Sequence, residues 1–355
     1  MPAADPGRLH AEGRVVRDAL EEARGLVALL VGATPREVVF TSGGTEAINA
    51  AVWGATRQHP GAPVLFADVE HSAVREASIR LAPAEVIPVD ATARLDAAAL
   101  ESRLSAPSLP RPALVHCQWA NHEVGTLQPV HQIVDLCRAA GVPVHVDAAA
   151  ACGHVPLDLA ELGADLVSLS AHKLGGVPGA GALIIRRGSR FEPLIVGGEQ
   201  ERARRGGLEA IPALVAFGAA AAALGADDAH LLHAEAERAR AQIGALSSLA
   251  TSVEGVDIVG PDRPEQRLPS LVCLGVHGVE AEPVLIGLDR AGVAVHSGSA
   301  CSSESIEPSP VLEAMGVDAS HSLRVSVGWS STEEDVAAFG VAFRDVVASL
   351  RALRG

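Results

Sequence analysis

Cysteine is scarce in this sequence. The 355 residues include only five cysteines, and these form no Cys-x-x-Cys pair and no regular spacing. They are Cys117, Cys137, Cys152, Cys273 and Cys301. Neither a disulfide framework nor a zinc site is indicated, and we predict no metal site of any kind. This cysteine usage is typical of a protein that works in a reducing compartment.

Basic residues are few relative to acidic ones. Lysine and arginine number 28 against 43 aspartates and glutamates, which gives a formal net charge of -15 at pH 7. Nucleic-acid binding depends on clustered basic side chains that neutralise phosphates, so we expect no nucleic-acid partner. Tyrosine is absent, but 48% of the residues are hydrophobic and 20% are charged. This composition is typical of a folded globular protein.

Long apolar runs are also missing. No stretch reaches the length that a membrane span needs. The first residues, "MPAADPGRLHAEGR", lack the basic start and apolar core of a signal peptide. We therefore expect a cytoplasmic protein with no membrane partner.

Short apolar runs alternate with helix-compatible segments over residues 1–235. Each run is bounded by glycine, proline or polar residues, as buried strands of a parallel sheet are. The seven runs are "EVVFTS", "PVLFADV", "EVIPVD", "PALVHCQWA", "PVHVDAA", "ADLVSLSAHK" and "GALIIR". The alternation predicts a large doubly wound α/β domain with a mostly parallel, seven-stranded sheet. Ahead of it, residues 8–31 are predicted to form a helix with Val15, Ala19 and Ala23 among its apolar positions.

The pattern changes after residue 235. A long helix is followed by four further strands, "VDIVG", "LPSLVCLGV", "VAVHSG" and "SLRVSVG", and by a final helix. A chain of this length has room for two domains. We therefore expect residues 236–355 to form a smaller α+β domain.

A glycine-rich turn follows the first strand, which ends near Phe40. Successive backbone N–H groups of Gly43, Gly44 and Thr45 at the start of a helix would form an anion site that fits a phosphate. Taken alone, the turn is better explained as a glycine-rich connection with Thr45 as the helix N-cap.

Ionisable residues end two later strands. Asp147 closes "VHVD", and Ser170, His172 and Lys173 end "LVSLSAHK". Pyridoxal phosphate (PLP) needs a lysine for its Schiff base, a carboxylate for its ring nitrogen and an anion site for its phosphate. A surface lysine and a capping aspartate would explain each residue singly, but not their convergence with the glycine-rich turn.

Two further residues are candidates for the same site. His71 directly follows a strand, where its ring would stack on a flat cofactor and transfer protons, or serve as a neutral structural residue. Arg324 lies within a strand of the second domain, where it would bind a substrate carboxylate or form a buried salt bridge.

Cys301 lies in the polar run "SGSACSSES". Cysteine is among the most buried residue types, so a thiol in flexible polar surroundings is more readily explained by reactivity than by packing. A loop rich in glycine and serine would let this thiol reach a cofactor and then leave it.

Together these motifs resemble the PLP-dependent cysteine desulfurases of the NifS/IscS-like group, in the class V aminotransferase superfamily of fold type I. The resemblance runs from about residue 8 to the C-terminus. The motifs that carry it are "FTSGGTEAIN", "EHSAV", "NHEVGTLQPV", "HVDAAA", "SLSAHKLGGVPGAGAL", "GGEQERARRGG", "SGSACSSESIEPSPVLEAMG" and "LRVSVGWSSTEEDV".

The resemblance implies a role for each candidate residue. Lys173 would form the Schiff base, Asp147 would pair with the ring nitrogen, and His71 would stack on the ring. Cys301 would attack the sulfur of the bound substrate. The phosphate would be held by Gly44, Thr45, Ser170 and His172, and the substrate would be bound by Asn121 and Arg324.

Several positions depart from the family pattern. His122 replaces an asparagine and Ala150 replaces a glutamine, both near the cofactor's phenolic oxygen, and we hypothesise that His122 compensates by binding the cofactor there. Leu208 replaces a threonine that reaches the partner subunit's phosphate, and Arg202 or Arg205 would offset that loss. Trp329 stands where an arginine is common.

The resemblance implies conversion of L-cysteine to L-alanine, with sulfur passing to Cys301 as a persulfide for a sulfur-acceptor protein, as in iron–sulfur cluster assembly. It also implies a homodimer. A PLP β-lyase or selenocysteine lyase with an idle Cys301 is an alternative, as is a catalytically weak scaffold protein.

Overall fold

The computed structural model describes residues 4–297 and 308–354, apart from the side chains of residues 226–229 and 354. Cys301 lies outside the described residues. Contacts divide the chain into two compact units. The first unit comprises Met1–Ile87, Asp96–Trp119 and Gln128–His233. The second unit comprises Pro88–Leu95, Ala120–Leu127 and Ala234–Gly355. A domain boundary at residue 235 stays a prediction.

The first unit contains a seven-stranded sheet. Its strands are β1 (Val38–Thr41), β2 (Val64–Ala67), β3 (Ala84–Ile87), β4 (Leu114–Gln118), β5 (Val144–Asp147), β6 (Leu166–Ser170) and β7 (Gly181–Ile185). Their order is β1-β7-β6-β5-β4-β2-β3. Only β7 runs antiparallel to its neighbours, and the other neighbouring pairs are parallel. The predicted mostly parallel sheet is confirmed, and every predicted run supplies one strand.

Helices connect these strands. Their bounds are α1 (Ala11–Leu30), α2 (Gly44–Gln58), α3 (Ser72–Leu81), α4 (Ala97–Leu104), α5 (Val130–Ala140), α6 (Leu159–Leu162), the single turn α7 (Gln200–Ala203) and α8 (Ile211–Thr251), which continues into the second unit. Helix α5 shows how the sequence sets its ends: it begins after Pro129 and ends at Gly141, whose positive φ of 62° is readily adopted by glycine.

The predicted apolar face of α1 is wrong at Val15, whose residue surface is 51% exposed. The buried face comprises Val16, Leu20, Ala23 and Val27. It also includes Arg24, which is only 2% exposed. Helical periodicity normally places arginine on the solvent face. Arg24 instead lies on the buried face because its charge partner, Glu201, comes from a distant part of the sequence.

Arg24 forms a buried ion pair with Glu201 of α7. Two hydrogen bonds join the side chains, Nη1 to Oε2 at 2.6 Å and Nη2 to Oε1 at 2.7 Å, and the backbone N–H of Phe40 donates to Oε2 at 2.9 Å. Glu201, Arg202 and Ala203 have positive φ angles of 49°, 58° and 59°. Left-handed backbone costs about 1–2 kcal/mol per residue outside glycine, so these contacts stabilise a strained turn.

We expect Arg24→Ala to lower the free energy of unfolding by about 3–5 kcal/mol, because the Glu201 charge would be left buried without its partner. Arg8→Ala is the control: it removes an exposed ion pair with Asp5 and should cost no more than about 1 kcal/mol. Urea unfolding followed by circular dichroism measures both. Equal losses would contradict this account of the turn.

The second unit is built on a four-stranded antiparallel sheet of order β10-β11-β9-β8. Stacked rings of Phe339 and Phe343, with centroids 5.3 Å apart, lie in its core with Val272 and Leu274. The expected α+β architecture is confirmed. The elements are β8 (Val256–Val259), β9 (Leu271–Val276), α9 (Ala281–Arg290), β10 (His296–Ser297), α10 (Pro310–Ala314), β11 (Ser322–Ser326) and α11 (Glu333–Arg354).

Within the described residues, no single helix has both the length and the apolar composition that crossing a membrane requires. The segments Ile211–Gly225 and His230–Thr251 of α8 pass that test only when they are counted together. In the first segment Leu214 and Phe217 are buried in the fold, and an apolar core helix passes the same test.

Candidate active site

The predicted residues of the first unit gather at one edge of its sheet. Asp147 is the last residue of β5 and Ser170 the last of β6. Lys173 follows in a short 3-10 turn, Ala171–Leu174. Strands β5 and β6 are parallel neighbours, so their carboxyl ends meet at the edge where ligands of open α/β sheets bind.

Asp147 uses only one of its carboxylate oxygens. Oδ1 accepts hydrogen bonds from the Ser168 hydroxyl at 2.8 Å and from the Ala149 backbone N–H at 3.0 Å. No described residue donates a hydrogen bond to Oδ2, although Asp147 is only 8% exposed. A largely buried carboxylate needs hydrogen bonds or an opposite charge. The arrangement therefore fits a ligand that brings its own N–H to Oδ2.

Lys173 is the only lysine in the sequence. Its side chain is exposed and makes no hydrogen bond or ion pair with any described residue. Partial burial and the Lys173 charge together lower the pKa of His172. An uncommitted amine thus lies at the same sheet edge as the uncommitted oxygen of Asp147.

The glycine-rich turn forms the start of α2, where the first backbone N–H groups of a helix lack intrahelical partners. Its N-cap is Gly43, so the alternative of a Thr45 cap is wrong. A Cβ on Gly44 would lie 3.3 Å from the Ser170 Cβ, and one on Gly181 would lie 2.6 Å from the carbonyl carbon of Gly43. Ser170 Oγ lies 3.0 Å from His172 Nδ1. N–H groups, a hydroxyl and an imidazole therefore adjoin, as an anion site requires.

His71 caps α3, since its Nδ1 accepts the Ala73 backbone N–H at 3.1 Å. The two residues before it, Val69 and Glu70, form hydrogen bonds with Gln118 at the end of β4. The Gln118 amide donates to the Val69 carbonyl at 2.8 Å, and the Gln118 backbone N–H donates to Glu70 Oε1 at 2.7 Å. Strand β2 pairs with β4, so His71 stands at the same sheet edge.

The second unit holds Asn121, His122 and Arg324. Asn121 is fully buried, and its Oδ1 accepts the backbone N–H groups of Glu123 and Val124, both at 2.9 Å. Arg324 Nη1 donates to the His122 carbonyl at 3.1 Å. Arg324 forms no salt bridge with any described residue, so the alternative of a buried ion pair is not found there.

The His122 side chain lies close to the carboxylate of its neighbour in the chain, Glu123. Its Nε2 lies 3.5 Å from Glu123 Oε1. The other oxygen of Glu123 accepts a hydrogen bond from the Ser309 hydroxyl at 2.5 Å. Glu123 therefore holds the turn against the start of α10.

The two arginines expected to offset the loss at Leu208 are both engaged. Arg205 donates to both oxygens of Glu46, at 2.9 and 3.2 Å, and Arg202 donates to Glu21 at 3.3 Å. Leu208 itself is 61% exposed. Glu46 also accepts the Ser42 backbone N–H at 2.9 Å, so Arg205 supports the turn before α2.

The four described cysteines are buried and form no disulfide with one another. Burial raises the pKa of Cys137, Cys152 and Cys273 to about 12. The thiolate is the reactive form, so these three thiols are unreactive at neutral pH.

Two buried histidines near the site were not anticipated from the sequence. His116 of β4 and His145 of β5 are register partners, and their Nδ1 atoms lie 2.8 Å apart. Histidines two residues before Gln118 and Asp147 are the signal that would have found them, because parallel pairing puts residues two apart on one face.

Acid should destabilise the protein through this pair. Burial lowers the pKa of His116 well below its usual value, and that of His145 to about 4. The unfolded chain then binds protons that the folded chain does not. Stability should therefore fall as the pH drops from about 6.5 towards 4, by up to about 1.4 kcal/mol per pH unit for each imidazole.

Thermal unfolding midpoints measured across this pH range test the prediction. The double variant His116→Leu/His145→Leu should lose much of the dependence, while the exposed-site control His59→Leu should keep it. An unchanged pH dependence in the double variant would show that other groups cause the acid sensitivity.

The aminotransferase class-V family matches residues 4–339 of the chain. The chain is 39% identical to a cysteine desulfurase of Cereibacter sphaeroides, over 98% of this chain and 90% of that protein. It is 37% identical to cysteine desulfurase 2 of Trichormus variabilis, over 98% and 87%. A NifS-like protein from Rickettsia africae superposes with a TM-score of 0.87 at 28% identity, over 97% of this chain and 92% of that one. The chain therefore belongs to the aminotransferase class-V family.

Proposed function

We propose that the chain is a PLP-dependent cysteine desulfurase, which converts L-cysteine to L-alanine and passes the sulfur to Cys301. The observation that carries this proposal is the pairing of two uncommitted groups at one sheet edge. Asp147 Oδ2 has no hydrogen-bond donor among the described residues, and Lys173 is the sequence's only lysine. The named relatives with 37–39% identity support the same activity.

The residues of the first unit fit the cofactor. Asp147 would hold the ring nitrogen through Oδ2, and Lys173 would attach the cofactor covalently. The start of α2 at Gly44 and Thr45, with Ser170 and His172, would hold the phosphate. When bound, PLP supplies an electron sink that labilises bonds at the α-carbon of an amino acid.

The remaining residues act on the substrate. Arg324 would bind the substrate carboxylate through guanidinium N–H groups other than the one that donates to the His122 carbonyl. Asn121 would contribute to substrate binding by fixing the turn at Glu123 and Val124. Lys173 and His71 would move protons at the substrate, as amines and imidazoles do in acid–base catalysis.

Cys301 would receive the sulfur. A new S–S bond forms between its thiol and the substrate sulfur, the substrate C–S bond breaks, and a proton replaces sulfur on that carbon. L-cysteine and the enzyme thiol thus become L-alanine and an enzyme persulfide, with no external oxidant. The pKa values of about 12 for Cys137, Cys152 and Cys273 support Cys301 as the nucleophile.

Partners follow from this activity. A sulfur-acceptor protein would take the persulfide sulfur, and a second copy of the chain would complete a homodimer. Leu208 and Val196 are exposed apolar side chains of the first unit that such a copy would cover. We place the protein in the cytoplasm.

The direct test is turnover of L-cysteine by the purified protein with added PLP and a thiol reductant. We expect sulfide and alanine in equal amounts. A protein that binds PLP yet releases neither product would contradict the proposed activity, and release of pyruvate in place of alanine would indicate a β-lyase.

A further inference from the structure

A pair of histidines lies two register positions before Gln118 and Asp147 on strands β4 and β5. One register pair, Cys117–Val146, separates His116–His145 from Gln118–Asp147, and residues two apart share a face of the sheet. Both histidines are fully buried. Their rings are nearly perpendicular, at 76°, with centroids 4.8 Å apart.

The protons of this pair are constrained. The 2.8 Å contact between the Nδ1 atoms needs one N–H and one lone pair. If both rings are neutral, one therefore carries its proton on Nδ1 and the other on Nε2. Both Nε2 atoms are buried without a hydrogen-bond partner in the described residues. Two arrangements exist, and they differ in which ring carries the Nε2 proton.

Such a pair does not favour stability. Each buried nitrogen without a partner incurs a desolvation penalty, and apolar side chains of similar volume would avoid it. Buried polar atoms without partners call for an explanation. Because this pair lies on the strands that carry Asp147, we look for its role in cofactor binding.

We propose that His116 and His145 are positioning residues for the cofactor: the buried pair supports the Asp147 carboxylate and so determines how firmly Asp147 holds the ring nitrogen. This inference rests on the proposed PLP-dependent function. Neither histidine contacts the cofactor in this scheme, because both act through Asp147.

The link between the pair and Asp147 is electrostatic. Burial lowers the pKa of His145, and the Asp147 charge opposes that lowering. The negative charge of Asp147 favours whichever of the two proton arrangements brings an imidazole N–H nearer to its carboxylate. If Asp147 held a protonated ring nitrogen, its negative charge would be compensated, and the difference in energy between the two arrangements would become smaller. Coupling is reciprocal, so the pair in turn influences cofactor binding.

Titration of the apoprotein with PLP, followed by visible absorbance, tests the inference without an activity assay. We expect the dissociation constant of His116→Leu/His145→Leu to rise about tenfold, while its thermal midpoint at neutral pH stays equal or rises. His59→Leu, an exposed histidine of the first unit, should leave both unchanged. Unchanged PLP affinity in the double variant would overturn the inference, as would a loss of affinity that only accompanies lower stability.

Nitrogen-15 NMR of histidine-labelled wild-type protein gives a test that does not depend on a variant folding. We expect the imidazole nitrogen shifts of the pair to move when PLP is added to the apoprotein. Shifts that stay fixed while PLP binds would overturn the inference and leave the proposed function intact. A wild-type protein that takes up no PLP would instead contradict the proposed function.

Discussion

Lys173→Ala should abolish turnover of L-cysteine. The amine would attach the cofactor and move protons at the substrate, so its loss removes two contributions at once. We expect the rate to fall by at least about a thousandfold, the scale of losing a covalent or acid–base group. The visible absorbance of the protein with PLP should also change, because no other lysine is available in the sequence.

Lys173→Arg is the matched control, since it keeps the positive charge but is not an effective nucleophile. It should be as inactive as Lys173→Ala, while phosphate binding at the start of α2 persists. Borohydride reduction of the wild-type protein with PLP, followed by peptide mass analysis, should label Lys173. Turnover that survives in Lys173→Ala would remove this residue from the mechanism.

Cys301→Ala should stop the release of alanine from L-cysteine. In a desulfurase the C–S bond breaks only as the enzyme thiol accepts the sulfur, so the variant should lose about a hundredfold or more of its rate. Absorbance of the PLP-bound protein should be retained, because Cys301 does not hold the cofactor. The measurement is alanine and sulfide release under single-turnover conditions.

Cys137→Ala is the control for Cys301→Ala. Cys137 is buried in α5, and its pKa is raised to about 12, so turnover should be unaffected. A β-lyase or selenocysteine lyase would keep its rate in Cys301→Ala, and that result would replace the desulfurase proposal. A scaffold protein would retain no PLP absorbance after free PLP is removed, even in the wild type.

The sheet could be predicted from the sequence because all of its strands except β3 are buried on both faces. Strands such as β2 and β7 then appear as continuous apolar runs, and a polar residue at the end of a run marks the ligand edge. This is why the sequence predicts Asp147 and Lys173 as site residues. Placing the two residues in one site requires only that the parallel strands β5 and β6 end at the same edge of the sheet.

Features that depend on distant contacts could not be predicted. Arg24 occupies the buried face of α1 because Glu201, 177 residues away, pairs with it. The contact of His116 with His145 depends on the register of β4 and β5, which neither strand specifies alone. The resemblance assigns Asn121 to substrate binding, whereas in the structure its Oδ1 accepts the hydrogen bonds that fix a turn.

The close approach of Gly181 to Gly43 has a genetic consequence. Position 181 carries no proposed chemistry, yet even a methyl group there would press on the backbone just ahead of α2. Alanine at this position should weaken phosphate retention and leave Lys173 and Asp147 in place. In cells that depend on this protein, a screen for mutants rescued by extra vitamin B6 should therefore recover substitutions at residue 181.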